Sequence, residues 1–283
     1  MTYGFIGFGS MATMIIHCMI EYSKVIPRTI YVTRKNKDRL GEINAVFKDI
    51  TVVNSCQEIM ENAQMVFLCA KPIEIRDILV EIAPYVKDNT HIISIAGSVS
   101  IDNMQSILNG KITKYIPTIT SEIGSGVSLI CHNSHVTEED AAFFEALLNR
   151  FGKVKRIREE DFRLAIELTS CMPGFIASIF SNLTNVALKQ KSFINGDMIR
   201  DLIVDTLFAT AQLLAEKDMS FEEVVARVAT KGGITQEGVA VLSSLLPYVF
   251  DAMFDVTLDK RRITEEKIKA LYETGSSSNQ SIQ

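Results

Sequence analysis

Short apolar runs alternate with amphipathic stretches over the first half of the chain, and from about residue 159 only helical spacing remains. YGFIGF (3–8) is a strand candidate, and SMATMIIHCMIEYS (10–23) carries apolar residues at three- and four-residue intervals, which predicts a helix. TIYVT (29–33) is β-branched and strand-like. QEIMENA (57–63) reads as helix, MVFLCA (65–70) as a short apolar run, IEIRDILVEIAPYV (73–86) as helix, HIISIAG (91–97) as strand and IDNMQSIL (101–108) as a short helix. After VSLICHN (127–133), the segment TEEDAAFFEALLNRFG (137–152) has Thr137 as N-cap, acids in the first turn and Gly152 as stop, and KVKRI (153–157) is a last short strand.

Strand–helix alternation of this kind predicts βαβ units and a parallel sheet. The helical remainder divides into candidates at 159–172, 174–190, 197–217, 221–229, 235–246 and 247–272, with Asn195–Gly196 as a turn and Pro173 and Pro247 as helix breaks. The fold class expected is α/β: a Rossmann-type doubly wound parallel sheet over 1–158, then an all-α domain over 159–273. The polar residues 274–283 form an expected disordered tail.

Composition narrows the function. The 283 residues are 47% hydrophobic, enough for a packed core, and the net charge of −5 argues against nucleic acid as the main partner. Five scattered cysteines form no C-x-x-C pair, no leader precedes the first strand, and no run of 18 apolar residues suggests a membrane span. A reducing cytoplasm is expected.

The candidate chemistry begins at the first strand. In GFIGFGSMA (4–12), Gly7-x-Gly9-x-x-Ala12 follows a strand and opens a helix, the arrangement that binds a dinucleotide. Gly7 permits the tight turn, Gly9 lets a pyrophosphate approach the backbone and Ala12 lets the helix pack near the strand. Phe8, Ser10 and Met11 complete the turn, and the helix N-terminus faces the phosphates. The second strand ends in Thr33, Arg34 and Lys35, with no acid before Asp38. A hydroxyl and two cations suit a 2′-phosphate, so NADPH is expected, with NADH as the alternative.

A second candidate is ATKGGITQEG (229–238), where Gly232 and Gly233 interrupt a helical region. The pair is either a plain turn or a loop that holds backbone N–H groups open for an anion. Among the remaining signals, CHNSH (131–135) lacks zinc spacing and reads as a surface turn, so no metal site is expected. Cys171 stands near a helix start and gives no evident nucleophile.

Five local patterns, in order, resemble the pyrroline-5-carboxylate reductase family: GFIGFGSMA, VFLCAKP (66–72), SIAG (94–97), LTSCMPGF (168–175) and TKGGIT (230–235). The resemblance spans about residues 3 to 258. It implies an NADPH-dependent imine reductase that converts 1-pyrroline-5-carboxylate to L-proline. It further implies that Ala70, Lys71, Pro72, Ser94 and Ala96 line the nicotinamide site and that Thr230, Gly232, Gly233 and Thr235 bind the substrate. Thr235 is the catalytic candidate, contacting the substrate ring nitrogen. Dimerisation through the helical domain, with possible higher homo-oligomers, is also implied. The chain departs from the family pattern at IPTIT (116–120), Lys114, Thr230 and Lys231, and these variants resemble a branch found in late-competence operons of Gram-positive bacteria. For that branch a competence-associated or regulatory nucleotide-binding role, or reduction of another small imine acid, stands as the alternative.

Overall fold

The computed structural model describes residues 1–36, 38 and 40–277, the last four as backbone only. Two compact units emerge: Met1–Met172 together with Leu258–Gln283, and Pro173–Thr257. The division expected at residue 158 thus lies some residues later, and the C-terminal stretch belongs with the first unit. The reason is packing: Ile268 and Tyr272 are buried in the same core cluster as Ile92 and Ile112.

The first unit is an eight-stranded sheet in the order β3-β2-β1-β4-β5-β6-β7-β8. Its strands are β1 (Tyr3–Ile6), β2 (Ile30–Thr33), β3 (Thr51–Val52), β4 (Met65–Leu68), β5 (His91–Ser94), β6 (Lys111–Ile116), β7 (Gly126–His132) and β8 (Gly152–Arg156). All neighbours are parallel except β6 and β7. Between them run the helices α1 (Ser10–Glu21), α2 (Gly41–Val46), α3 (Cys56–Asn62), α4 (Pro72–Ile82), α5 (Ile101–Gln105) and α6 (Glu138–Leu148).

Burial on both faces explains why the central strands β1 and β4 are almost wholly apolar. Phe5 and Phe67 sit in one core cluster, with rings stacked 4.6 Å apart, while Ile6, Val66 and Leu68 sit in the other. The two-residue period of adjacent strands therefore feeds two cores. The first is closed by α1 and α6 through Ile15, Ile16, Met19 and Phe144, the second by α3 and α4 through Ile59, Ile75 and Leu79.

Three elements were not legible as pattern. β6, read from KITKYI, carries two lysines, yet Lys114 is only 4% exposed. Its amine is neutralised by Glu159 at 3.1 Å and lies 5.1 Å from the centre of the Phe162 ring. β3 and α2 are too short to show a period.

CHNSH is an exposed turn only at Ser134 and His135. Cys131 and His132 end β7, and the buried His132 ring shares Thr113 with His91, each imidazole 2.6 Å from the hydroxyl.

The remaining helices are α7 (Phe162–Ile166), α8 (Met172–Ala187), α9 (Gly196–Lys217), α10 (Phe221–Val228) and α11 (Ile234–Ser277). Neither expected proline break occurs. Between α7 and α8 the chain stays helical through a π-turn at Glu167–Cys171, whose wider bonding accommodates Pro173. Pro247 lies inside α11. A proline removes one helical donor and crowds one carbonyl; it does not oblige the chain to leave the helix. The expected tail at 274–283 begins within α11, which is helical through Ser277, and 278–283 lie outside the described residues.

By length and composition Glu159–Ala187 and Ile234–Glu273 are long and apolar enough to cross a bilayer, contrary to expectation, although such helices are weak evidence of a span. The second unit leaves many apolar side chains exposed, among them Leu183, Phe208, Val241 and Leu245.

Candidate functional site

Strand order reverses direction between β1 and β4, and a cleft of about 670 Å³ opens at their C-terminal ends. The turn after β1 is its floor. Gly7 has φ of 104°, and its N–H donates to the Thr33 carbonyl at 2.9 Å. A β-carbon here would lie 2.4 Å from the Cys69 carbonyl oxygen, so only glycine fits. Gly9 differs. Its backbone is extended (φ −121°) and its absent side chain faces open space. It occupies the N-cap of α1 with no side-chain cap, which leaves the first helical N–H groups directed outward. Ala12 is buried against the core.

This cradle fits a dinucleotide. An extended Gly9 at the mouth of a helix N-terminus admits phosphate oxygens to bare backbone, and the dipole favours their charge.

Of the residues expected at the cofactor, Gly7, Phe8, Gly9, Thr33, Arg34, Lys35, Ala70 and Lys71 line this cleft together. Ser10, Met11, Ala12 and Pro72 adjoin it in sequence but are not among its lining residues. Ser94 and Ala96 are buried at the end of β5, where the Ser94 hydroxyl accepts the Ala96 N–H at 3.3 Å. At the end of β2, Thr33 is buried, Arg34 pairs with Glu42 at 3.0 Å, and Lys35 reaches Glu74 at 3.4 Å.

Sequence reasoning missed one wall. Glu74, Asp77, Ile78 and Glu81 of α4 line the cleft, and their spacing of three and four residues is the signal that could have found them. Glu74 also caps α4, accepting the Lys71 N–H at 3.3 Å. Cys69 lines the same cleft, but burial drives its thiol far above the ordinary range, which keeps it protonated.

The glycine loop belongs to the second unit. Gly232 has φ of 74°, and a β-carbon on Gly233 would lie 2.8 Å from the Thr230 hydroxyl, so the turn itself demands both glycines. The expected open N–H pair is closed. The Gly232 N–H donates to the Gln236 side-chain carbonyl at 2.7 Å and the Gly233 N–H to the Thr230 carbonyl at 2.9 Å. Thr235, one residue into α11, is exposed, as is Thr230.

Around the end of β5 the first unit carries two ion pairs that sequence reasoning also missed, Lys114–Glu159 and Arg261–Glu167. Nothing in local pattern announces them, because the partners lie 45 and 94 residues apart.

Comparison with known proteins agrees with this geometry. Residues 2–98 match the family described as NADP oxidoreductase, coenzyme F420-dependent, and residues 159–262 match pyrroline-5-carboxylate reductase dimerisation. The chain is 34% identical to pyrroline-5-carboxylate reductase 3 of Bacillus subtilis, over 94% of this chain and 97% of that one. It is 27% identical to ComE operon protein 4 of the same organism, over 96% and 98%. The solved pyrroline carboxylate reductase of Plasmodium falciparum, with NADP bound, superposes with a TM-score of 0.78 at 20% identity, covering 96% of this chain and 98% of that one. The Streptococcus pyogenes 1-pyrroline-5-carboxylate reductase superposes with 0.81 at 23% identity, covering 92% and 98%.

Proposed function

The chain belongs to the pyrroline-5-carboxylate reductase family, nicotinamide-dependent oxidoreductases acting on C=N bonds, and on that premise we propose that it reduces 1-pyrroline-5-carboxylate to L-proline with NADPH. The observation that carries the proposal is the glycine cradle over the β1/β4 cleft in a chain 34% identical to a named reductase along nearly its whole length.

NADPH, when bound, supplies the hydride. The chain's own work is binding, orientation and exclusion of water. The bare backbone at Gly9 and the N-terminus of α1 hold the pyrophosphate. Arg34 and Lys35 take the 2′-phosphate, exchanging their contacts with Glu42 and Glu74. Ala70, Lys71, Pro72, Ser94 and Ala96 border the nicotinamide. A protonated cyclic imine is already an electrophile, so no strong acid is required beside it. The Thr235 hydroxyl orients the ring nitrogen. Thr230 and the glycine turn receive the carboxylate, which displaces the Gln236 side chain from the Gly232 N–H.

The exposed apolar side chains of the second unit support assembly as a homodimer. Phe208 is 65% exposed and Leu245 58% in the single chain, surface that a partner copy would cover.

The closure of the Gly232 N–H by Gln236, with the likeness to ComE operon protein 4, favours a second reading: a nucleotide-binding homologue with little reductase activity. NADPH oxidation at 340 nm with 1-pyrroline-5-carboxylate separates the two. Turnover supports the reductase. NADPH binding without turnover supports the second reading.

A further inference from the structure

Glu74 belongs to the α4 wall of the dinucleotide cleft, and its Oε1 atom reaches Lys35, just after β2, at 3.4 Å. The two residues differ in how firmly they are held. The Lys35 side chain is 88% exposed, that of Glu74 34%. Glu74 is also the third residue of α4. Its Oε2 atom accepts the Lys71 N–H at 3.3 Å, and its own N–H donates to the Lys71 carbonyl at 2.8 Å. A carboxylate in the first turn is favoured there by the capping bond and by the helix dipole. The acid is fixed by its helix and the flexible amine comes to it, so the pair stands where α4 puts it.

That placement bears on the dinucleotide. A 2′-phosphate at the end of β2 draws on Arg34 and Lys35, and each already meets a carboxylate, Glu42 at 3.0 Å and Glu74 at 3.4 Å. Glu42 follows β2 in the chain, whereas Glu74 comes from α4, 39 residues beyond Lys35. The α4 residues that line the cleft include Glu74, Asp77 and Glu81 beside the apolar Ile78, so this wall offers a phosphate no countercharge. A 2′-hydroxyl is neutral and can donate to a carboxylate, so the same wall does not oppose it.

We propose that Glu74 is a specificity-determining residue that restrains the preference for NADPH over NADH by withholding Lys35 from the 2′-phosphate. This rests on the NADPH reading above. A lysine amine is a compact charge on a flexible stem, free to exchange one anion for another, so the preference is set by a competition between carboxylate and phosphate for one amine. Glu74 is a positioning residue: it acts through Lys35.

The test is a double-mutant cycle read in binding. Kd for NADPH and for NADH is measured by fluorescence titration in wild type, Glu74→Gln, Lys35→Met and the double variant. Glutamine keeps an oxygen for the Lys71 N–H, so the start of α4 is preserved while the charge is removed. The ratio of the NADH constant to the NADPH constant is expected to rise about three- to tenfold in Glu74→Gln, borne by tighter NADPH. In the Lys35→Met background the same substitution is expected to move the ratio by less than about twofold, because no amine is left to release. In the otherwise wild-type chain Lys35→Met is expected to weaken NADPH by less than about threefold, since Glu74 already holds the amine. A ratio within about twofold of wild type in Glu74→Gln overturns the proposal. An equal rise with and without Lys35 overturns it too, and so does a loss of about tenfold in NADPH affinity from Lys35→Met alone. These failures are read in a protein that binds NADPH; a wild type that binds neither dinucleotide overturns the NADPH reading itself and takes the proposal with it.

Discussion

Gly7 approaches Cys69 so closely that a β-carbon at residue 7 would lie 2.4 Å from the Cys69 carbonyl oxygen, whereas the same atom at Gly9 would meet nothing within 4 Å. Two glycines of one motif thus answer to different constraints. Gly7 is required by the fold, which places no such demand on Gly9. Gly7→Ala is expected to cost about 3 kcal/mol, from backbone clash and a positive φ together, and to weaken NADPH binding as the turn shifts. Gly9→Ala is expected to leave the melting temperature within about 2 °C of wild type and to weaken NADPH about tenfold or more. Thermal melts and NADPH fluorescence titration check both, and equal melting losses in the two variants would contradict this division.

Arg34→Ala should weaken NADPH about 10- to 100-fold and NADH by less than about threefold, since only the 2′-phosphate needs the second charge. Fluorescence titrations with each dinucleotide give the answer. An unchanged preference would show that the Arg34–Glu42 pair is structural.

Thr235→Ala should lower kcat about 10- to 100-fold while NADPH affinity stays near wild type, because the hydroxyl is assigned to the imine nitrogen. Equal losses in turnover and cofactor affinity would place Thr235 in a structural role instead.

The buried histidines predict a pH dependence. Burial, then the neighbouring His132, pulls the His91 pKa down from its ordinary 6.5 to about 4, and burial also lowers His132. The folded protein keeps these rings neutral, while the unfolded chain takes up protons as the pH falls below about 6.5. Stability is therefore full above that pH and is lost progressively towards pH 4. For His91 the loss is on the order of 3 kcal/mol. His91→Gln, which does not titrate, should show a shallower decline in melting temperature between pH 6.5 and 4.5. Parallel curves for the two proteins would remove His91 as the cause.

The sequence by itself determined what depends on near neighbours. The turn from β1 into α1 is legible because Gly7 and Ala12 each satisfy a local steric demand at fixed spacing from the bare N-cap Gly9, and the buried strands are legible because a sheet covered on both faces demands unbroken apolar runs. The glycine pair at 232–233 is visible for the same reason, although only the structure shows that Gln236 occupies the donor the pair was expected to leave open.

Tertiary structure decided everything that depends on distant partners. Lys114 can occupy a central strand because Glu159, 45 residues later, neutralises it. The acids of α4 face the cleft because strand order reverses beside β1. Helices pass through Pro173 and Pro247 because a lost backbone bond is local and packing is not. Arg261 meets Glu167 across 94 residues of chain, and Coulomb attraction in a dry interior, unlike a turn or a helical period, leaves no spacing in the sequence to read.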